Sequence, residues 1–93
     1  MDRGDTRQFS RQDLVFTTLL KVEGDGWAAY RVKARNLSTR GMMAEGDVQV
    51  APGSLVSVEL PGLGWVDGAV AWKQDNRFGV GFARDIDVEL VSA

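Results

Sequence analysis

The strongest constraint on this chain is a two-residue alternation of apolar and polar side chains, broken at short intervals by glycine, proline and Asx turns. A β-strand sends successive side chains to opposite faces, so this period marks strands with one buried face. An amphipathic helix needs apolar residues three and four apart over a longer run, and no such run is present. Trp27 to Asn36 is the clearest case, with Tyr30, Val32 and Ala34 on one face and Arg31, Lys33 and Arg35 on the other. Leu14 to Val22 reads as the preceding strand, joined to it by the turn Glu23-Gly24-Asp25-Gly26, whose glycines reach positive φ without a steric cost.

Further along, Val48 to Val50 reads as a short strand stopped by Ala51-Pro52-Gly53, and Leu55 to Leu60 as one ended by Pro61-Gly62-Leu63-Gly64. Trp65 to Trp72 and Phe78 to Ala83 make a last hairpin around Gln74-Asp75-Asn76-Arg77, with Gly68, Gly79 and Gly81 at bends or close approaches. Six short strands in 93 residues leave too many unpaired edges unless the sheet closes. The expected fold is therefore all-β, a six-stranded antiparallel barrel of one domain. Residues 1–12 form a flexible polar arm, 13–84 the barrel, and 85–93 a tail with little or no C-terminal helix. Val32, Val58, Val70, Val80 and Phe82 are the expected core. Trp27, Tyr30, Trp65 and Trp72, at strand positions, also read as core rather than as stacking surfaces.

Composition narrows the chemistry. The chain has no cysteine and no histidine, which removes disulfides, thiolate and imidazole metal ligands, and the Ser-His-Asp and Cys-His nucleophile pairs. The expectation is a protein that is not an enzyme and holds no metal or cofactor. Met1 to Ser10 is polar and has no apolar run, which reads as no signal peptide and no membrane span, hence a cytoplasmic chain. The net charge of −2 argues against a polymeric nucleic acid as partner. Local charge differs: Arg31, Lys33, Arg35 and Arg40 lie between Trp27 and Gly41 with no acid among them, a face suited to a small anion.

Two short motifs stand out. Arg7-Gln8-Phe9-Ser10-Arg11 carries two arginines four apart just before the first strand. By itself this spacing means little, since Arg3/Arg7 and Arg31/Arg35 share it. Asn36-Leu37-Ser38-Thr39-Arg40-Gly41 comes after the second strand and offers an amide, a hydroxyl and a glycine, as a plain Asx or Ser turn also would. What joins them is register. A hairpin centred on the Glu23 to Gly26 turn brings Arg11 opposite Ser38, so both motifs fall at the open end of one hairpin. Arginine forks read the O6/N7 edge of guanine and grip phosphate, while an amide, a hydroxyl and an approachable backbone complete a nucleotide site.

With these motifs the chain resembles the PilZ family. Members pair an Arg-x-x-x-Arg segment before the barrel with an Asp/Asn-x-Ser-x-x-Gly segment after the second strand, which correspond to Arg7/Arg11 and to Asn36/Ser38/Gly41. The pattern Gly68-Ala69-Val70-Ala71-Trp72 followed by Phe78-Gly79-Val80-Gly81-Phe82 extends the likeness over nearly the whole chain. The resemblance implies a six-stranded barrel and a bacterial signalling role as a receptor for the second messenger cyclic di-GMP. Its arginines would clasp guanine and phosphate, the arm would become ordered on binding, and a downstream protein partner would read the change. Two rival readings are a PilZ-like protein-interaction module that binds no nucleotide, and an oligonucleotide-binding barrel using the Arg31/Lys33/Arg35 face.

Overall fold

The computed structural model describes residues 10–11, 14–26 and 28–92. Among these residues eight strands run in chain order: β1 (Ser10–Arg11), β2 (Phe16–Val22), β3 (Ala29–Arg35), β4 (Leu37–Ser38), β5 (Gly41–Glu45), β6 (Leu55–Leu60), β7 (Gly64–Gln74) and β8 (Arg77–Phe82). Six of them close a barrel in the order β2-β3-β5-β8-β7-β6, and β1 and β4 form a separate two-stranded ladder. Every pairing in the barrel is antiparallel, and the ring is completed where Leu20, Lys21 and Val22 of β2 meet Val58, Ser57 and Val56 of β6. The six-stranded antiparallel barrel is thus the fold of the described chain.

Alternation sets what fills it. Leu20, Val32, Ala34, Ala44, Val56, Val58, Leu60, Val70 and Val80 point inward and are buried, as is Phe78, the largest fully buried side chain. Of the expected core, Val32, Val58, Val70 and Val80 are buried, whereas Phe82 is only half-buried at its margin. Thr18 is the buried polar exception, and its hydroxyl donates to the Glu59 carbonyl, so that group is not left unpaired.

The strand expected at Val48 to Val50 does not form. The sixth member of the ring is instead β5, Gly41–Glu45, which pairs with β3 on one side and β8 on the other. After Glu45 the chain bends, and the Val48 N–H donates to the nearby Gly46 carbonyl at 3.0 Å, spending on a local turn the donor that a ladder needs. Val48 nonetheless packs into the core. The segment β5 escapes a propensity reading because Gly-Met-Met-Ala-Glu contains no β-branched residue.

The tryptophans also depart from expectation. Trp65 and Trp72 are 43% and 42% exposed and lie outside the core, Tyr30 is half-buried, and Trp27 lies outside the described residues. Strict alternation along β7 would turn Trp72 inward with Val66, Gly68 and Val70, but a β-bulge between Val70 and Trp72 reverses it. Its indole then lies against Gly79, where any Cβ would collide with the ring. Trp65 sits beneath the Lys21 ammonium, 4.5 Å from the ring centroid.

The tail closes one end of the barrel. A 3₁₀ turn at Val88–Leu90, capped by the Asp87 carboxylate accepting from the Glu89 N–H at 3.0 Å, buries Val88 and is followed by buried Val91. Residues 88 and 91 are one 3₁₀ turn apart, so both face the core. The Ser92 N–H then donates to the Pro61 carbonyl at 2.9 Å, fixing the tail to the β6–β7 turn.

At the β2–β3 turn the Tyr30 hydroxyl donates to the Asp25 carboxylate, and this bond, with the nearby negative charge, raises the Tyr30 pKa above the usual tyrosine value. The neutral phenol is the favoured form in the fold, so any stabilisation is present below the ordinary pKa and is lost as pH rises through the raised one. Tyr30 is the sole tyrosine, so phenolate absorbance reports it directly. Its titration is expected above that of the unfolded chain and to fall back in Asp25→Asn; an unchanged midpoint in that variant would contradict the assignment.

Candidate functional site

The site begins with the backbone between β3 and β4. Asn36 breaks the strand with a left-handed φ of 54°, a conformation its short amide side chain tolerates better than most. The next residue, Leu37, is fully buried, and this anchor leaves its neighbours facing away: Asn36 is exposed and Ser38 half-buried. Against this anchored pair runs β1, with Ser10 opposite Ser38 and Arg11 opposite Leu37. The end of the first motif, Ser10 and Arg11, therefore meets Leu37 and Ser38 of the second at the open end of the β2–β3 hairpin.

The register differs in detail from the expected one. Ser10 rather than Arg11 faces Ser38, a shift of one residue. The turn does not account for it. It runs longer than Glu23 to Gly26, with Lys21 and Ala29 as the last ladder pair, and continuing that ladder would put Arg11 opposite Thr39. The register therefore slips by two residues between the β2–β3 and β1–β4 ladders, where Asn36 makes its left-handed break. Within the expected arm, Ser10 and Arg11 are thus paired in a ladder, and the rest of residues 1–12, Arg7 included, lies outside the described residues. For Arg11 the placement rests on its backbone.

Ser38 and Gly41 have structural duties that the motif alone does not reveal. The Ser38 Oγ accepts from the N–H groups of Arg40 at 3.3 Å and Gly41 at 3.2 Å, and lies 3.2 Å from the Gly41 carbonyl, to which it donates. Its hydroxyl therefore shapes the turn and holds the adjoining backbone in place. Gly41 lies opposite Gly81 of β8, and a Cβ there would run into the Val80 carbonyl oxygen. At Gly81 the nearest atom to an added Cβ is the Ala69 carbonyl oxygen at 3.9 Å. Gly41→Ala is accordingly expected to cost about 1–3 kcal/mol of stability without any ligand, while Gly81→Ala costs little. Thermal melts check both, and equal melting of the two variants would refute the close-approach role.

Arg35 is a site residue that motif reading passes over. It ends β3 immediately before Asn36, and its Nη2 lies 3.4 Å from Glu45 Oε1 of β5. Its Nε is buried with no hydrogen-bond partner among the described residues, so a donor remains to be satisfied beside the motif. Its place in the basic Arg31/Lys33/Arg35 row was visible in the sequence, but that row also suits a solvated strand face, and Arg31 and Lys33 are indeed exposed.

The motif turn is also tied to β8 and to the segment beyond it. The Phe82 N–H donates to the Arg40 carbonyl at 2.8 Å and the Ile86 N–H to the Thr39 carbonyl at 2.9 Å. No cluster of three or more acidic side chains able to hold a metal occurs among the described residues, and no helix there is long and apolar enough to cross a membrane. No protein-family model matches the chain, and neither a curated protein nor a solved structure does.

Proposed function

We propose that this barrel is a cyclic di-GMP receptor, binding the nucleotide through Arg7 and Arg11 on one side and Asn36, Ser38 and Gly41 on the other. The observation that carries the reading is the β1–β4 ladder, which holds the Arg11 backbone against Leu37–Ser38 although the whole β2–β3 hairpin separates them in sequence. Two features add support. Asn36 is exposed on a turn whose shape Ser38 and Gly41 maintain, and the half-buried cation Arg35 ends β3 directly beside it.

In this reading the Arg7 and Arg11 guanidinium groups supply paired donors to guanine O6/N7 or to phosphate. Asn36 adds a neutral hydrogen bond, and the Ser38 contribution is carried by the backbone its hydroxyl organises. Ligand binding fixes the segment before β1 over the barrel, and a protein partner reads the new surface.

Calorimetric titration with cyclic di-GMP at several salt concentrations tests the proposal. Saturable binding with a shallow salt dependence is expected, because a dinucleotide releases few counterions; a steep slope with a single-stranded oligonucleotide and no response to the dinucleotide would favour the rival barrel. Asn36→Gly provides a second check. Glycine keeps the left-handed φ and removes only the amide, so the variant should fold normally and bind more weakly. Unchanged affinity would remove Asn36 from the site.

A further inference from the structure

Two hollows open on the barrel, the first against β2, β6, β7 and β8 and the second against β7 and the tail. The first, about 610 Å³, is lined by Lys21, Glu23, Leu55, Asp67 and Ala83 among others. The second, about 410 Å³, is lined by Trp65, Asp67, Asp85, Asp87 and Leu90 among others. They share Asp67 and Ala83, so together they make one elongated groove. Of the five large apolar side chains exposed among the described residues, Leu55, Trp65 and Leu90 border this groove; Val15 and Trp72 do not. Exposed apolar residues scattered singly need no explanation, but three gathered along one depression mark a surface made to be covered.

Charge says by what. Four carboxylates, Glu23, Asp67, Asp85 and Asp87, line the groove against two cations, Lys21 and Arg84. Lys21 lies over the Trp65 ring. The outward face of β3 has the opposite character, with Arg31, Lys33 and Arg35. A surface that gathers exposed apolar side chains among an excess of carboxylates repels anionic surfaces and polyanions and attracts a cationic segment. We infer that this groove is a docking site for a basic segment with interspersed apolar side chains, supplied by a protein partner. Leu55, Trp65 and Leu90 take its apolar side chains, and Asp67, Asp85 and Asp87 meet its lysines and arginines.

The inference is independent of the nucleotide reading, and its test uses the nucleotide-free full chain. The probe is a short synthetic peptide alternating leucine with lysine and arginine, titrated into labelled protein and followed by amide and indole NMR signals. Saturable shifts at Trp65 and at residues 83–90 are expected, with a leucine-glutamate peptide of equal length failing to bind. Asp67→Lys combined with Asp85→Lys, both exposed positions, should weaken the basic peptide about tenfold or more while leaving the melting temperature nearly unchanged. Because two charge reversals can disturb folding, Leu90→Ser serves as a second variant and should also weaken binding.

Four results would overturn the inference: no saturable shift in the groove, equal binding of the acidic peptide, groove signals that instead respond to protein dilution as in a self-associating pair, and groove shifts produced by anionic lipid vesicles. Binding unaffected by either variant would do so as well.

Discussion

Replacing Arg11 with alanine is expected to weaken cyclic di-GMP binding by about five- to more than a hundredfold, the equivalent of about 1–3 kcal/mol for one guanine or phosphate contact. The backbone of Arg11 is paired beside Ser38, so its loss should be felt at the nucleotide and little in the fold. Arg3→Ala should cost far less, because an exposed charge outside direct contact is screened within about 10 Å at ordinary salt. Arg11→Lys should rescue only part of the loss, since an ammonium keeps the charge without the two-pronged geometry. Thermal melts run with each titration separate lost binding from lost folding. If Arg3→Ala abolished binding and Arg11→Ala did not, the motif would have to be read as Arg3/Arg7.

Phe78→Ala is expected to be the most damaging single truncation in the barrel, at about 3–5 kcal/mol. Phe78 is fully buried and is paired with Ala44 on one side and Lys73 on the other, so the small neighbour at 44 cannot fill the space it leaves. Small domains have only about 5–15 kcal/mol of stability in total, and the variant should therefore unfold at markedly lower denaturant concentration. Phe82→Ala, at the half-buried margin of the core, should cost clearly less. Chemical denaturation followed by circular dichroism measures both, and a smaller loss at Phe78 than at Phe82 would contradict the assignment of the barrel centre.

The fold was legible where side chains alternate without interruption and where turn residues mark the ends. Leu55–Leu60 runs as its alternation indicates, and the β3 faces divide as Tyr30/Val32/Ala34 and Arg31/Lys33/Arg35 require. What alternation could not supply was anything set by pairing partners. Gly41–Glu45 is a strand because β3 and β8 flank it, not because Gly, Met, Ala and Glu prefer one. Trp72 faces out because of a bulge that leaves no mark in the residue types. Local rules also say which residues share a face, not which face meets the core; on β7 both rows carry apolar residues, and only the barrel decides that Val70 goes in and Trp65 out.

The candidate site was legible to a similar depth. Counting outward from the turn put Arg11 within one residue of its observed partner, but the observed ladder is offset from the β2–β3 register by a break at Asn36 that counting cannot foresee. The duties of Ser38 and Gly41 within the turn, and the unpaired Nε of Arg35, depend on atoms that sequence cannot position. The spacing Val88/Val91 held a signal for the tail that becomes readable only as a 3₁₀ turn against the core.

The central claim is that the β1–β4 ladder is a nucleotide site, and an amide NMR titration of the full chain with cyclic di-GMP tests it most directly. Saturable shifts are expected at Ser10, Arg11 and Asn36 through Gly41, with much smaller ones at Leu55–Leu60, which pairs with neither strand of the β1–β4 ladder. If saturating nucleotide left the signals of Ser10, Arg11 and residues 36–41 unmoved, the claim would be contradicted.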